Sequence, residues 1–505
     1  MKIKCLKDEY WYGGLVKNGT KMPLSEASCV TVDTTINRTP NQAMPLFVST
    51  KGRYIWKKEG FKLSFDKGEI EIDDDCFVSE PYGNLKAGYI KAMEQEFPFK
   101  KGTPSPELFK NPIYNTWIEL TFDQNQEDIL KYEKGILSNG MPAGVLMIDD
   151  GWSEYYGNWT FHSGRFKDPK SMIKTLHDDG FKVMLWICPF ITPDTVKYRE
   201  ALALDILIKT ADDTPYIVNW WNGFSAVLDM SNPNAAKWLK EQLDELTAIG
   251  IDGFKFDAGD SFFYEEAGKT CKNTTPNEQS LLWAEFGEQY EYNEYRVTFL
   301  AGGEPILQRL CDKQHSWTEE GVGGLIPDSL LQGITGHPFS CPDMIGGGEY
   351  VNFHEAVKSR FDEELFVRHC EIACLMPAMQ FSAAPYRLLS KENYDKILAL
   401  LELRKTLTPY LMEQIEKAGT TGEPILRYMT YEFPEAGFDT VIDQFMLGDR
   451  YLVAPIYQKG LTGRNVALPA GDWLRNGEVI NSRGETLWFE QGEDPLILFE
   501  RQRTM

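Results

Sequence analysis

The chain has 505 residues, with 52 Lys and Arg against 75 Asp and Glu, for a formal net charge of −23. Apolar residues make up 42% and aromatics 13%, far from a disordered composition and enough for a large core. Single cores rarely grow past about 250–300 residues, so two or three domains are expected. The acidic balance disfavours nucleic acid and anionic membranes, and no stretch reaches the roughly 20 apolar residues of a membrane span. The start, Met1 to Glu9, has no continuous apolar run of the secretory kind, and the expectation is a cytoplasmic enzyme.

Residues 1–108 read as an N-terminal β-sandwich. Short alternating runs at Cys29–Val32, Leu46–Thr50, Tyr54–Trp56 and Phe61–Phe65 are broken by Gly and Asp-Lys-Gly turns, and Phe99–Pro106 reads as a linker. Residues 109–408 change to fully apolar strands separated by amphipathic helices. Strands are expected at Asn115–Leu120, Gly144–Ile148, Lys182–Ile187, Gly253–Asp257, Tyr295–Leu300, Gly336–Ser340 and Ala378–Phe381. Helices are expected at Asn125–Ser138, Lys170–Asp178 and Asn234–Ile249, the last ended by Gly250. Apolar strands alternating with helices imply a parallel sheet covered on both faces, and at least seven units imply an α/β fold of the closed (β/α)8 TIM-barrel type. After a helix at Lys391–Lys405, residues 409–505 return to strand-like runs, a C-terminal all-β domain.

The nine cysteines form no CxxC pair. Cys370 and Cys374, with Cys311 and Cys341, are the best metal candidates by spacing, but small reduced core residues are the better reading. His315 and His337 match no HExxH-type spacing, no GxSxG elbow is present, and the Gly-Gly runs fit neither phosphate-loop pattern. No metal and no cofactor are expected.

A barrel of this kind places its chemistry at the C-terminal strand ends. There the sequence gathers Asp149-Asp150-Gly151-Trp152, Trp186-Ile187-Cys188, Asp257-Ala258-Gly259-Asp260, Arg296, Asp312-Lys313-Gln314-His315 and His337 to Asp343. Singly, each has a bland explanation: Asp150 or Asp260 as a helix cap, Lys255 with Asp257 as a structural ion pair, the tryptophans as core. Jointly, carboxylates interleaved with aromatics at one mouth suit a sugar, whose C–H faces pack on rings while charged groups take its hydroxyls.

Phe254-Lys255-Phe256-Asp257-Ala258-Gly259-Asp260, the run from Gly336 to Gly347, Met376 to Ser382, and the C-terminal Tyr451 to Ile456 and Gly463 to Trp473 resemble glycoside hydrolase family 31. The segments around Asp149-Asp150 and Asp312 are similar to its α-galactosidase-like members. The resemblance implies a retaining, exo-acting α-glycosidase acting on terminal non-reducing sugars of an oligosaccharide or glycoside, α-galactosides first. It implies Asp257 as nucleophile and Asp312, sixteen residues after Arg296, as acid/base. The acid segment is shorter than the family's usual one, which leaves Asp328, Glu319 and Glu320 as competitors. Asp257 is expected to be ionised, with Lys255 or Arg296 lowering its pKa, and Asp312 to start protonated, the two carboxyls standing about 5–5.5 Å apart. Asp149, Asp150, Trp186, Lys255, Arg296, Asp343 and His337 are expected to bind the terminal sugar, with Trp117 and Trp220 or Trp221 shaping the walls. Glucoside or xyloside hydrolysis and transglycosylation need the same pair. A catalytically inactive carbohydrate-binding relative and a scaffold for protein partners are the readings of other classes. Family members often self-associate, so a homo-oligomer is compatible, but the sequence marks no interface.

Overall fold

The computed structural model describes residues 1–73, 75–353 and 360–502. Eight parallel strands form the centre: β1 Ile113–Asn115, β2 Val145–Ile148, β3 Lys182–Ile187, β4 Gly253–Phe256, β5 Tyr292–Tyr295, β6 Gln308–Arg309, β7 Ser340–Cys341 and β8 Gln380–Phe381. Their order is β7-β6-β5-β4-β3-β2-β1-β8. A parallel bridge from Met344 to Gln380, with Ile345 N donating to Gln380 O at 2.8 Å, closes β7 onto β8. The result is a (β/α)8 barrel. β2 is Val-Leu-Met-Ile, buried throughout, as a strand covered on both faces requires. At Gly253 a Cβ would fall 1.9 Å from the Tyr292 carbonyl, so glycine allows β4 and β5 to approach.

The barrel helices are set by their caps. Asn125 accepts from Asp128 N before Gln126–Ser138, Asp168 caps Pro169–Asp178, and Thr275 with Glu278 forms a capping box before Pro276–Gly287. Pro233–Ala248 ends before Gly250, whose φ is +111°. A 31-residue helix, Lys391–Thr421, crosses residue 409 without a break and stops at left-handed Gly422. The chain therefore leaves the barrel layer later than its change of composition suggests.

Two four-stranded antiparallel sheets over residues 2–78 form the N-terminal sandwich, and a six-stranded and a two-stranded sheet after residue 425 form the C-terminal β region. The sandwich and barrel share one continuous core, while a smaller cluster around Trp473 and Phe499 holds the C-terminal sheets together. Several elements differ from expectation. Leu85–Glu96 is a helix capped by Asn84 inside a region read as all β. The first barrel strand ends at Asn115, and Trp117–Leu120 is a helical turn. The fifth strand is Tyr292–Tyr295, which puts Arg296 at its end, and the two-residue β6 was not foreseen. Between β3 and its helix a three-stranded sheet (Phe190–Ile191, Ile217–Trp220, Gly223–Val227) rises over the barrel mouth.

Among the described residues, no helix is long and apolar enough to cross a membrane. Cys341, Cys370 and Cys374 are buried in the core, with the Cys374 thiol donating to Leu400 O at 3.1 Å.

Candidate active site

The strand ends open into a cavity of about 570 Å³ lined by Asp149, Asp150, Trp186, Lys255, Asp257 and Arg296 together with Asp312, Trp117, Phe122 and Tyr350, with Trp221 and Asp260 also at its wall. Asp257 follows β4, its N–H continuing the barrel ladder to Ile187 O at 3.0 Å. One carboxylate oxygen accepts from Arg296 Nε at 2.9 Å and from the Ala258 N–H at 2.8 Å, and the other from Trp186 Nε1 at 3.0 Å. Lys255 Nζ lies 3.9 Å away. Burial opposes ionisation of Asp257, but Arg296, then Lys255 and Arg309, override it and hold its carboxyl well below the usual carboxylate range.

Lys255 is tied more closely to Asp149, at 2.7 Å, than to Asp257, and Asn115 Nδ2 donates to the same Asp149 oxygen at 2.7 Å. Asp150 accepts from Tyr156 Oη at 3.0 Å and Asn222 Nδ2 at 2.6 Å on one oxygen, while its buried Oδ1 has no side-chain partner among the described residues. Burial first, and then the charge of Asp149, push the Asp150 carboxyl up to about 7. Arg296 is forked on Asp260, at 3.0 and 2.6 Å, and stacks its guanidinium 5.4 Å from the Trp221 ring.

Asp312 sits three residues after β6. Arg309 Nη1 holds one of its oxygens at 2.8 Å and also reaches Asp343, while Nε lies 3.3 Å from Glu294. Burial raises the Asp343 carboxyl to about 7 against the pull of Arg309. Asp343 adopts φ +96°, a conformation costing about 1–3 kcal/mol for a non-glycine residue, and it accepts from the Lys313 N–H at 2.7 Å. A Cβ on Gly348 would stand 2.5 Å from the Asp312 carboxyl carbon, so the glycine leaves room for the acid.

Of the four carboxylates open as acid/base from the sequence, Asp312 alone lines this cavity. Asp328 is buried against Lys313 Nζ, Glu319 accepts from Thr20, and Glu320 pairs with Lys17. Three expected sugar contacts are corrected. His337 precedes β7, is sealed at the opposite end of that strand, and meets Gln308 at 2.8 Å. Burial drops its pKa to about 3, so the imidazole is neutral. Asp343 is fully buried as a partner of Arg309 and does not line the cavity. Trp220 stacks behind Trp186, with ring centroids 6.5 Å apart, and leaves the wall to Trp221.

Sequence reasoning missed Arg309, Glu294, Tyr156 and Asn222. It also missed the support from the N-terminal sandwich. Pro40 lines the cavity, Asn41 Oδ1 accepts from Cys311 N at 2.6 Å, and Gln42 Nε2 donates to Arg296 O and Arg309 O at 2.7 and 2.8 Å. An internal Arg within a two-residue strand carries no periodicity. The run Pro40-Asn41-Gln42, set directly before the apolar strand Ala43–Ser49, was the one available signal.

A closed α/β barrel with carboxylates and aromatic rings converging on its C-terminal mouth has the architecture of a carbohydrate-cleaving enzyme. The comparisons give the family. Residues 114–414 match the glycosyl hydrolases family 31 TIM-barrel domain, and residues 422–503 match the glycosyl hydrolase family 31 C-terminal domain. The chain belongs to glycosyl hydrolase family 31. Myogenesis-regulating glycosidase of Mus musculus is 33% identical over 396 residues, 75% of this chain and 54% of that protein. An isomaltosyltransferase of Sporosarcina globispora is 27% identical over 79% of this chain and 41% of its own. The chain thus spans about half the length of these relatives. A family 31 dextranase of Flavobacterium johnsoniae, solved with glucose, superposes with a TM-score of 0.85 at 18% identity, over 99% of this chain and 66% of its own.

Proposed function

We propose that the chain is a retaining, exo-acting α-glycosidase with Asp257 as nucleophile and Asp312 as acid/base. The observation that carries the reading is the shared cavity, where Asp312 and the carboxylate that Arg296 and Lys255 keep ionised, Asp257, both stand in the lining. An Asp257 oxygen attacks the anomeric carbon. The glycosidic C–O bond breaks with its electrons going to the leaving oxygen, which takes the proton of Asp312. Water then attacks the glycosyl-aspartate ester, giving its proton to Asp312, and the ester electrons return to Asp257. Two inversions leave the anomeric configuration unchanged. The exo mode is supported by the depth of the site, since Lys255, Asp149 and Trp186, which line it, are all buried.

Asp149 and Asp150 are the natural receptors for the far hydroxyls of that sugar, Asp150 through its Oδ1. Two adjacent acids there suit an axial O4 beside O6, and an α-galactoside is the favoured substrate. Six of the nine thiols are buried and unpaired, an arrangement at home in a reducing cytoplasm, where we place the enzyme. A panel of 4-nitrophenyl α-glycosides at micromolar enzyme tests the reading. Release from the galactoside above the glucoside and xyloside is expected, and proton NMR should detect the α-sugar first. Release from another α-sugar moves the substrate assignment alone. Binding without release, or a β-sugar as first product, overturns the mechanism.

A further inference from the structure

Trp117, Phe122 and Tyr350 form a corner of three rings at the mouth of the cavity. Trp117 meets Phe122 at 87° and Tyr350 at 86°, with centroids 5.2 and 5.7 Å apart, and Phe122 meets Tyr350 at 81°. Phe122 is 51% and Tyr350 41% exposed, a cost in water that clustered rings offset only when something apolar covers them. The corner lies on the acid's side of the cavity. Trp117 Nε1 donates to Gly348 O at 3.1 Å, and Gly348 is the residue packed on the Asp312 carboxyl.

From these contacts we infer that the leaving-group site takes a planar apolar aglycone, an aryl or arylalkyl group, in preference to a second sugar. The inference rests on the glycosidase reading, because a leaving oxygen must stand beside the acid that protonates it. A sugar in this position needs one flat ring to stack on and free polar groups for its hydroxyls. The corner offers instead three faces at right angles, which suit the edges and faces of an aromatic ring. Of its two side-chain donors the Trp117 indole N–H is already engaged, which leaves the single Tyr350 hydroxyl for a sugar. Glu349, the carboxylate beside Tyr350, has one oxygen held by Asn352 Nδ2 at 3.0 Å.

The test compares methyl and benzyl α-glycosides with a disaccharide linked through a primary hydroxyl. All three carry the glycone that the panel selects, so that leaving-group acidity and the inner pocket are held nearly constant. The expected kcat/KM for the benzyl glycoside exceeds that of both others by about tenfold or more, and the gain lies mainly in KM. Phe122→Ala and Tyr350→Ala should each lower the benzyl-to-methyl ratio by roughly fivefold, and Tyr350→Phe should restore it. Circular dichroism verifies that each variant is folded. A disaccharide preferred over the benzyl glycoside, or a ratio unmoved by both alanine variants, overturns the inference while leaving the glycosidase reading intact. Failure to cleave even the methyl glycoside of any sugar fells the glycosidase reading, and the inference with it.

Discussion

At the end of β4 the Asp257 side chain is 9% exposed, with two N–H donors, Arg296 and a nearby Lys255 around it. At the end of β6 the Asp312 side chain is 45% exposed, with Arg309 as its ion-pair partner on one oxygen. Two identical side chains thus reach one cavity from environments built for different tasks. Enclosure by cations and donors keeps the first charged and aimed. Access to solvent on the second leaves an oxygen open to a bound group or a water, as the proposed acid/base role requires. Identity of residue type says little about role here, and surroundings say most of it.

The largest effect should come from the enclosed side. Asp257→Ala is expected to lower kcat/KM by about 10⁴-fold or more in a 4-nitrophenyl glycoside assay while circular dichroism stays native. Activity within about tenfold of wild type would place the nucleophile elsewhere. Arg309 links the two regions, since its guanidinium touches Asp312, Asp343 and Glu294. Arg309→Met removes the cation those acids share and should cost about 3–5 kcal/mol in urea unfolding, and an unchanged midpoint would show that the cluster is solvated. Trp186→Phe keeps the ring and removes one hydrogen bond to a charged oxygen of Asp257. A loss of roughly 10–100-fold in kcat/KM is expected.

The next effect is on pH. Asp150 binds its proton more tightly when folded, at about 7, than when unfolded near 4. Its contribution to stability is therefore complete below about pH 4 and is lost as pH rises towards 7. Asp150→Asn should flatten that decline by on the order of 3–4 kcal/mol between pH 4 and 7, read by unfolding at each pH. Equal slopes in both proteins would contradict the assignment. The smallest effect belongs to His337, sealed from the cavity. His337→Gln should keep kcat/KM within about twofold, and a larger loss in a folded variant would return the residue to the site.

The parts legible in the sequence are those with a repeating signal. Apolar strands such as Val145–Ile148, followed at once by Asp149, announce both the barrel and the side of it that carries chemistry. Helices with capping residues and a closing glycine were found to within about two residues, as at Pro233–Ala248. What escaped is set by tertiary pairing. Gln308–Arg309 is too short for any periodicity, yet it is the strand that carries the cation between the two acids. His337 and Asp343 flank the same short strand, and only its register decides that one lies sealed at its start and the other buried against Arg309. Trp220 and Trp221 are neighbours in sequence, and the hairpin Ile217–Val227 turns one ring inward against Trp186 and the other to the opening. Asn222, on the same turn, reaches Asp150 across 72 positions, a contact no local pattern announces.

The proposed mechanism turns on a covalent bond at one carboxylate. Incubation with a 5-fluoro glycosyl fluoride of the preferred sugar, followed by peptide mass mapping, tests it most directly. The mechanism predicts one label per chain, carried by the peptide containing Asp257 and absent from Asp257→Ala. A label on Asp312, Asp149 or Asp150, or turnover without any covalent species, would contradict it.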